Sequence, residues 1–148
     1  MPEKPTLHVH IPPDPQYART VRGALAAFAS LHGVVELDQA AVVLAVGEAL
    51  ANAIEHAAAD GDIKVTVEID RHFVSARIVD RGRGFDETPM DMQPLPDDDE
   101  EGGRGIPIMQ RCVDQCHVES SPGLGTIVTL RRFRRDAAPT HQERAALS

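Results

Sequence analysis

Residues 48 to 56 read Glu48, Ala49, Leu50, Ala51, Asn52, Ala53, Ile54, Glu55, His56, four polar groups set into an apolar stretch. At about 100° per residue, Glu48, Asn52, Glu55 and His56 share roughly 100° of helical arc, and Val43, Val46, Leu50, Ala53, Ile54 and Ala57 take the opposite side. No Lys or Arg occurs between Glu36 and Asp62, so the four groups have no basic neighbour along the helix. A carboxylate one turn from an amide oxygen, with an imidazole beyond, suits a hard cation or a proton in transit.

Three glycine clusters offer complementary chemistry. Asp80, Arg81, Gly82, Arg83, Gly84 leave the end of a β-branched run. A dinucleotide fingerprint would need a third glycine where Glu87 stands and a helix where Pro89 follows, so that reading fails. What remains is a carboxylate able to accept a hydrogen bond from an exocyclic amine, backed by glycines that let a flat ligand approach. Alone, the cluster reads better as a plain turn. Gly102, Gly103, Arg104 and Gly105 precede a helical pattern, where free N–H groups and the helix dipole favour phosphate. Arg104 is the only basic residue between Arg83 and Arg111, which makes it the side chain to meet a terminal phosphate; a solvated helix entry is the plainer alternative. Gly123, Leu124, Gly125 and Thr126 open a last strand, with the Thr126 hydroxyl available to the same flat ligand; alone, the cluster is an ordinary hairpin signal.

The elements that must position these groups follow from periodicity. Leu7 to Ile11 alternates as an edge strand. Asp14 and Pro15 start a helix over about 15 to 32, closed at Gly33. Asp38 is expected to cap a second helix running to Ala59. Residues 62 to 70 and 72 to 80 form an antiparallel hairpin about Asp70 and Arg71. From Arg81 to Gly103 the periodicity is lost, a length typical of a lid or a disordered segment. A third helix begins near Arg104, and strands near 116 to 120 and 125 to 133 follow. Residues 1–135 read as one domain and 136–148 as a frayed tail.

Composition narrows the classes. The 148-residue chain has 15 Lys and Arg against 23 Asp and Glu, a net charge of −8, which argues against a nucleic-acid surface. No run is expected to approach the roughly 18 apolar residues of a membrane span. The start lacks the apolar core of a signal peptide, so no membrane association and a cytoplasmic location are expected. Cys112 and Cys116 lack the further ligands of a zinc site and read as ordinary thiols. The acidic run Asp97 to Glu101 reads as a solvated outer lid, and Arg131, Arg132, Arg134 and Arg135 as an exposed strand end, with partner docking the less favoured use of each.

Taken in order, Glu and Asn one turn apart, a strand-end Asp-x-Gly-x-Gly, a lid-length loop, Gly-Arg-Gly at a helix start and Gly-Thr opening a strand resemble the GHKL ATPases, among them gyrase and the histidine kinases. The resemblance covers about residues 38 to 131. The form Glu-Ala-x-x-Asn-Ala-x-x-His and the run Gly103 to Met109 are most similar to the anti-sigma factor serine kinases. It implies an α+β fold of Bergerat type, a two-layer sandwich with a mixed, mostly antiparallel sheet and helices on one face. It further implies ATP and Mg²⁺ as cofactors, with Asn52 holding the metal and Glu48 as general base. Asp80 would bind adenine, backed by Gly82 and Gly84, with Thr126 beside the base. Gly103, Arg104, Gly105 and Ile106 would meet the phosphates, and His56 would line the pocket. The implied activity is phosphorylation of a serine or threonine of an anti-sigma factor antagonist, with sequestration of a sigma factor, by a homodimer. A nucleotide-gated sequestering module without useful transfer, and an ATPase working on its own nucleotide, are the alternatives.

Overall fold

The computed structural model describes residues 4–56, 61–81, 105–121 and 125–135. The elements are β1 (Thr6–Ile11), α1 (Gln16–Leu31), α2 (Glu36–His56), β2 (Ile63–Ile69), β3 (Phe73–Asp80), α3 (Gly105–Cys112), β4 (Gln115–Ser121) and β5 (Gly125–Phe133). The expected lid with its acidic run, the end of the second helix at Ala59, the Pro122–Gly123 turn and the tail lie outside the described residues.

Among the described residues the strands form one five-stranded sheet in the order β1-β2-β3-β5-β4. Every described pairing is antiparallel, so the mixed component of the expected sheet is absent among the described residues. Alternation decides which face is covered. Val65, Val67, Val74, Ala76, Ile78, Val128 and Leu130 point inward and are buried with Val21, Leu25, Val42, Ala45, Val46 and Leu50 of the helices. The other face carries Thr66, Glu68, Ser75, Arg77, Thr129 and Arg131, giving the two-layer sandwich with helices on one side.

Local chemistry fixes the turns. The Asp14 carboxylate accepts the Gln16 N–H at 3.1 Å, opening α1 behind Pro15. Gly33, at φ 76°, closes it: the Gly33 N–H donates to the Ser30 carbonyl and the Val34 N–H to the Ala29 carbonyl, the paired bonds of a glycine-terminated helix. In the β2–β3 turn, Asp70 Oδ1 accepts the N–H groups of His72 and Phe73 at 2.7 and 2.9 Å.

Three expectations are corrected. Asp38 does not cap α2: it lies inside the first turn, fully buried, with Oδ1 accepting Arg132 Nε at 2.7 Å and Oδ2 accepting the Arg135 N–H at 2.7 Å. The arginines of the strand end are ties within the fold. Besides Arg132, Arg134 donates to the Asp70 and Gly33 carbonyls, and Arg131 lies 4.2 Å from the centre of the Phe73 ring while donating to Ser75 Oγ. Finally, α2 is itself long and apolar enough to cross a membrane by length and composition; its buried residues Val42, Ala45, Val46, Ala49, Leu50 and Ala53 identify it as the central helix of the core.

Two stability changes follow. Asp38→Ala strands a buried guanidinium and is expected to cost about 3–5 kcal/mol, read as a lowered denaturation midpoint. Gly125 has φ 101°, and a Cβ there would stand 2.1 Å from the Asp80 carbonyl oxygen. Gly125→Ala is therefore expected to lose at least roughly 1–3 kcal/mol in the same measurement.

Candidate active site

The register of β3 against β5 sets Asp80 opposite Thr126, at the end of the sheet reached by the C-terminal half of α2. There Asn52, His56, Asp80 and Thr126 line one cleft. Asp80 and Thr126 are only 4% and 6% exposed, so both polar groups act from within an apolar wall. That wall is Ala49 and Ala53 of α2, Ile78 of β3, Met109 of α3, Val118 of β4 and Val128 of β5. Ser120 Oγ stands 3.1 Å from Thr126 Oγ1, holding the threonine hydroxyl from the neighbouring strand.

The cleft places four expected residues together and separates others. Glu48 is half-buried, one turn before Asn52 on α2, and is not part of the cleft lining. It lies toward Cys112 at the end of α3. The Cys112 thiol pKa is raised, chiefly by burial and to a lesser degree by the Glu48 charge, with Arg132 opposing. Glu55, expected on the same polar face, points away: its side chain is 66% exposed, and its carboxylate is 3.9 Å from His56 Nε2. The face of α2 that meets the cleft is therefore Ala49, Asn52, Ala53 and His56. Gly105 is the first residue of α3. Gly82, Gly84, Gly103 and Arg104 lie outside the described residues, as does the side chain of Ile106.

Sequence reasoning missed Met109 and Val118 as cleft walls and Ser120 as the partner of Thr126. The signal for Ser120 was its phase: it shares the inward side of β4 with Val118 and pairs in register with Thr126.

The donor set fits an aminopurine nucleotide. Apolar walls suit the faces of a purine, and one buried carboxylate suits its exocyclic amine. The enclosed space is about 10 Å³, room for about one water centre, so these side chains make a floor and not a closed chamber. For a metal, the described residues contain no group of three or more His, Cys, Asp or Glu able to hold an ion. A metal here would take the Asn52 amide oxygen and complete its shell with phosphates and water, the habit of Mg²⁺.

Comparison with known proteins agrees with this arrangement. Residues 11–132 match the family model described as histidine kinase-like ATPase domain. The anti-sigma F factor of Caldanaerobacter subterraneus subsp. tengcongensis is 34% identical over 122 residues, covering 79% of this chain and 83% of that protein. The serine-protein kinase RsbW of Bacillus velezensis is 29% identical over 133 residues, covering 83% of each. The crystal structure of the RsbU and RsbW domains of Rv1364c from Mycobacterium tuberculosis superposes with a TM-score of 0.66 at 26% identity, over 92% of this chain; the chain spans 34% of that longer polypeptide. With a matched segment running from the last residue of β1 through Arg132 of β5 and relatives aligned over most of their length, the chain belongs to the histidine kinase-like ATPase family, among its anti-sigma factor and serine-protein kinase members.

Proposed function

We propose that the chain is an ATP-dependent protein serine/threonine kinase and anti-sigma factor that regulates transcription by switching between a sigma factor and a phosphorylatable antagonist. The observation that carries this reading is the cleft itself, a buried Asp80 beside Thr126 facing the helix that bears Asn52, in a family whose relatives bear the names anti-sigma F factor and serine-protein kinase.

In this reading Asp80 accepts the adenine amine, and the Thr126 hydroxyl, held by Ser120, lies beside the ring. Gly82 and Gly84 back the base. Gly103, Arg104, Gly105 and Ile106 meet the phosphates, and His56 lines the same pocket. Asn52 would hold Mg²⁺, which when bound neutralises charge on the phosphate oxygens. Glu48 takes the proton of the acceptor hydroxyl as its oxygen attacks the γ-phosphorus; the bond to the β–γ bridging oxygen breaks and ADP leaves. The half-buried position of Glu48, one turn from Asn52, supports that role, because an attacking hydroxyl must approach the phosphate from the side away from the purine. The domain is taken as residues 1–135 with 136–148 as a tail, and its location as cytoplasmic, from the sequence pattern; the homodimer is taken from the resemblance.

Three outcomes are expected. With γ-labelled ATP and a small antagonist protein, the label appears on a serine or threonine of the antagonist. A complex without label would mean a sequestering module, and phosphate release without an acceptor an ATPase. Asp80→Asn removes a charge-assisted hydrogen bond of about 1.5–3 kcal/mol and weakens Mg-ATP binding roughly ten- to a hundredfold by calorimetry. Glu48→Ala leaves binding intact and slows transfer by about 10²–10⁴; unchanged single-turnover transfer would remove Glu48 from the mechanism.

A further inference from the structure

One buried cation takes no part in the mechanism above. Arg132 is 8% exposed, on the inward side of β5. Its Nε donates to Asp38 Oδ1 at 2.7 Å, and its Nη1 donates to the Cys112 carbonyl at 2.7 Å. The guanidinium thus joins the first turn of α2 to the last residue of α3 through the end of β5. A planar fork makes both bonds at once; an ammonium on a flexible stem cannot reproduce the geometry. The carbonyl it holds is at the negative end of the α3 dipole, where a cation is favoured.

The position of α3 matters more than its size indicates. Gly105–Cys112 is only 8 residues, too short to be stable alone. Fully buried Met109, also a wall of the cleft, anchors its middle. Arg132 anchors its C-terminal end. Its other end is Gly105, and α2, held by the same guanidinium through Asp38, carries Asn52. The two helices that carry the phosphate-facing parts of the site, already packed on each other, are therefore tied together at their far ends by one side chain that touches neither part. We propose that Arg132 is a positioning residue for the nucleotide phosphates, fixing α3 against α2, and that it acts on the phosphate end of the ligand and not on the purine end. This rests on the assignment of the cleft to Mg-ATP.

The test compares affinities for Mg-ATP and for adenosine in the full chain by calorimetry. Arg132→Lys keeps the charge and loses the fork; thermal denaturation checks that it is folded, and Arg132→Gln provides a second variant should it not be. The expected result is a Mg-ATP affinity lower by roughly tenfold or more with adenosine affinity unchanged. A purely structural role would lower both together, and an equal loss, or no loss of either, overturns the inference. If wild-type protein binds adenosine and Mg-ATP equally well, the phosphate assignment of the site fails first, and the inference with it. If wild type discriminates and the folded variant keeps the same ratio, only the inference fails.

Discussion

The pairing of β3 with β5 is the constraint on which the site depends. A shift of one residue in that register would turn Asp80 or Thr126 to the solvent face of the sheet, and the cleft would have neither its acid nor its hydroxyl. The register is held on both sides. Inward alternation buries Val74, Ala76, Ile78, Val128 and Leu130 in one core, and Gly125, at φ 101°, lets the start of β5 pass close over the Asp80 carbonyl. Most of the sheet's apolar burial therefore votes for the alignment that chemistry requires.

A second constraint sits at the opposite end of β5, where Asp38 and Arg132 form a buried pair with both Asp38 oxygens and the Arg132 Nε and Nη1 hydrogen-bonded. Burying two charges is costly, and such a pair is weak evidence for stability in itself. Its geometry is more informative. Asp38 serves Arg132 and the Arg135 N–H, while Arg132 serves Asp38 and Cys112, so two helices and the last strand meet at one point. An apolar replacement of similar volume could fill that space, but it could not specify the relative placement of three elements by directed bonds.

Much of this was legible from the chain. Strands with strict alternation were read to within a residue or two, because period 2 is unambiguous where one face is buried. Asn52 and His56 on one helix arc, and Asp80 and Thr126 at two strand ends, are legible from the sequence and meet in one cleft. What periodicity could not settle was orientation on α2. That helix is apolar nearly all round, with Leu37 and Leu44 exposed at 67% and 49%, so its polar arc carries little phase information and spacing alone places Glu55 on a face it does not share. Asp38 looked like a cap because an acidic residue before an apolar run usually is one. Its true partner is 94 residues away, and no local pattern carries that information. The arginines at the end of β5 read as exposed for the same reason, since acceptors such as Asp38, Ser75, Asp70 and Gly33 are distant in sequence.

The order of strands has one more consequence, for assembly. Asp80 ends a hairpin made of neighbouring residues, whereas its opposite number arrives only with the final strand, after a helix and β4 have been inserted between them in the chain. Long-range closure of this kind is slow relative to hairpin formation. During synthesis the acid of the pocket is therefore made before its partner hydroxyl, and a ligand that grips both strands stabilises only the form in which β3 and β5 are paired, by mass action. Nucleotide binding would then serve as a report that folding has ended.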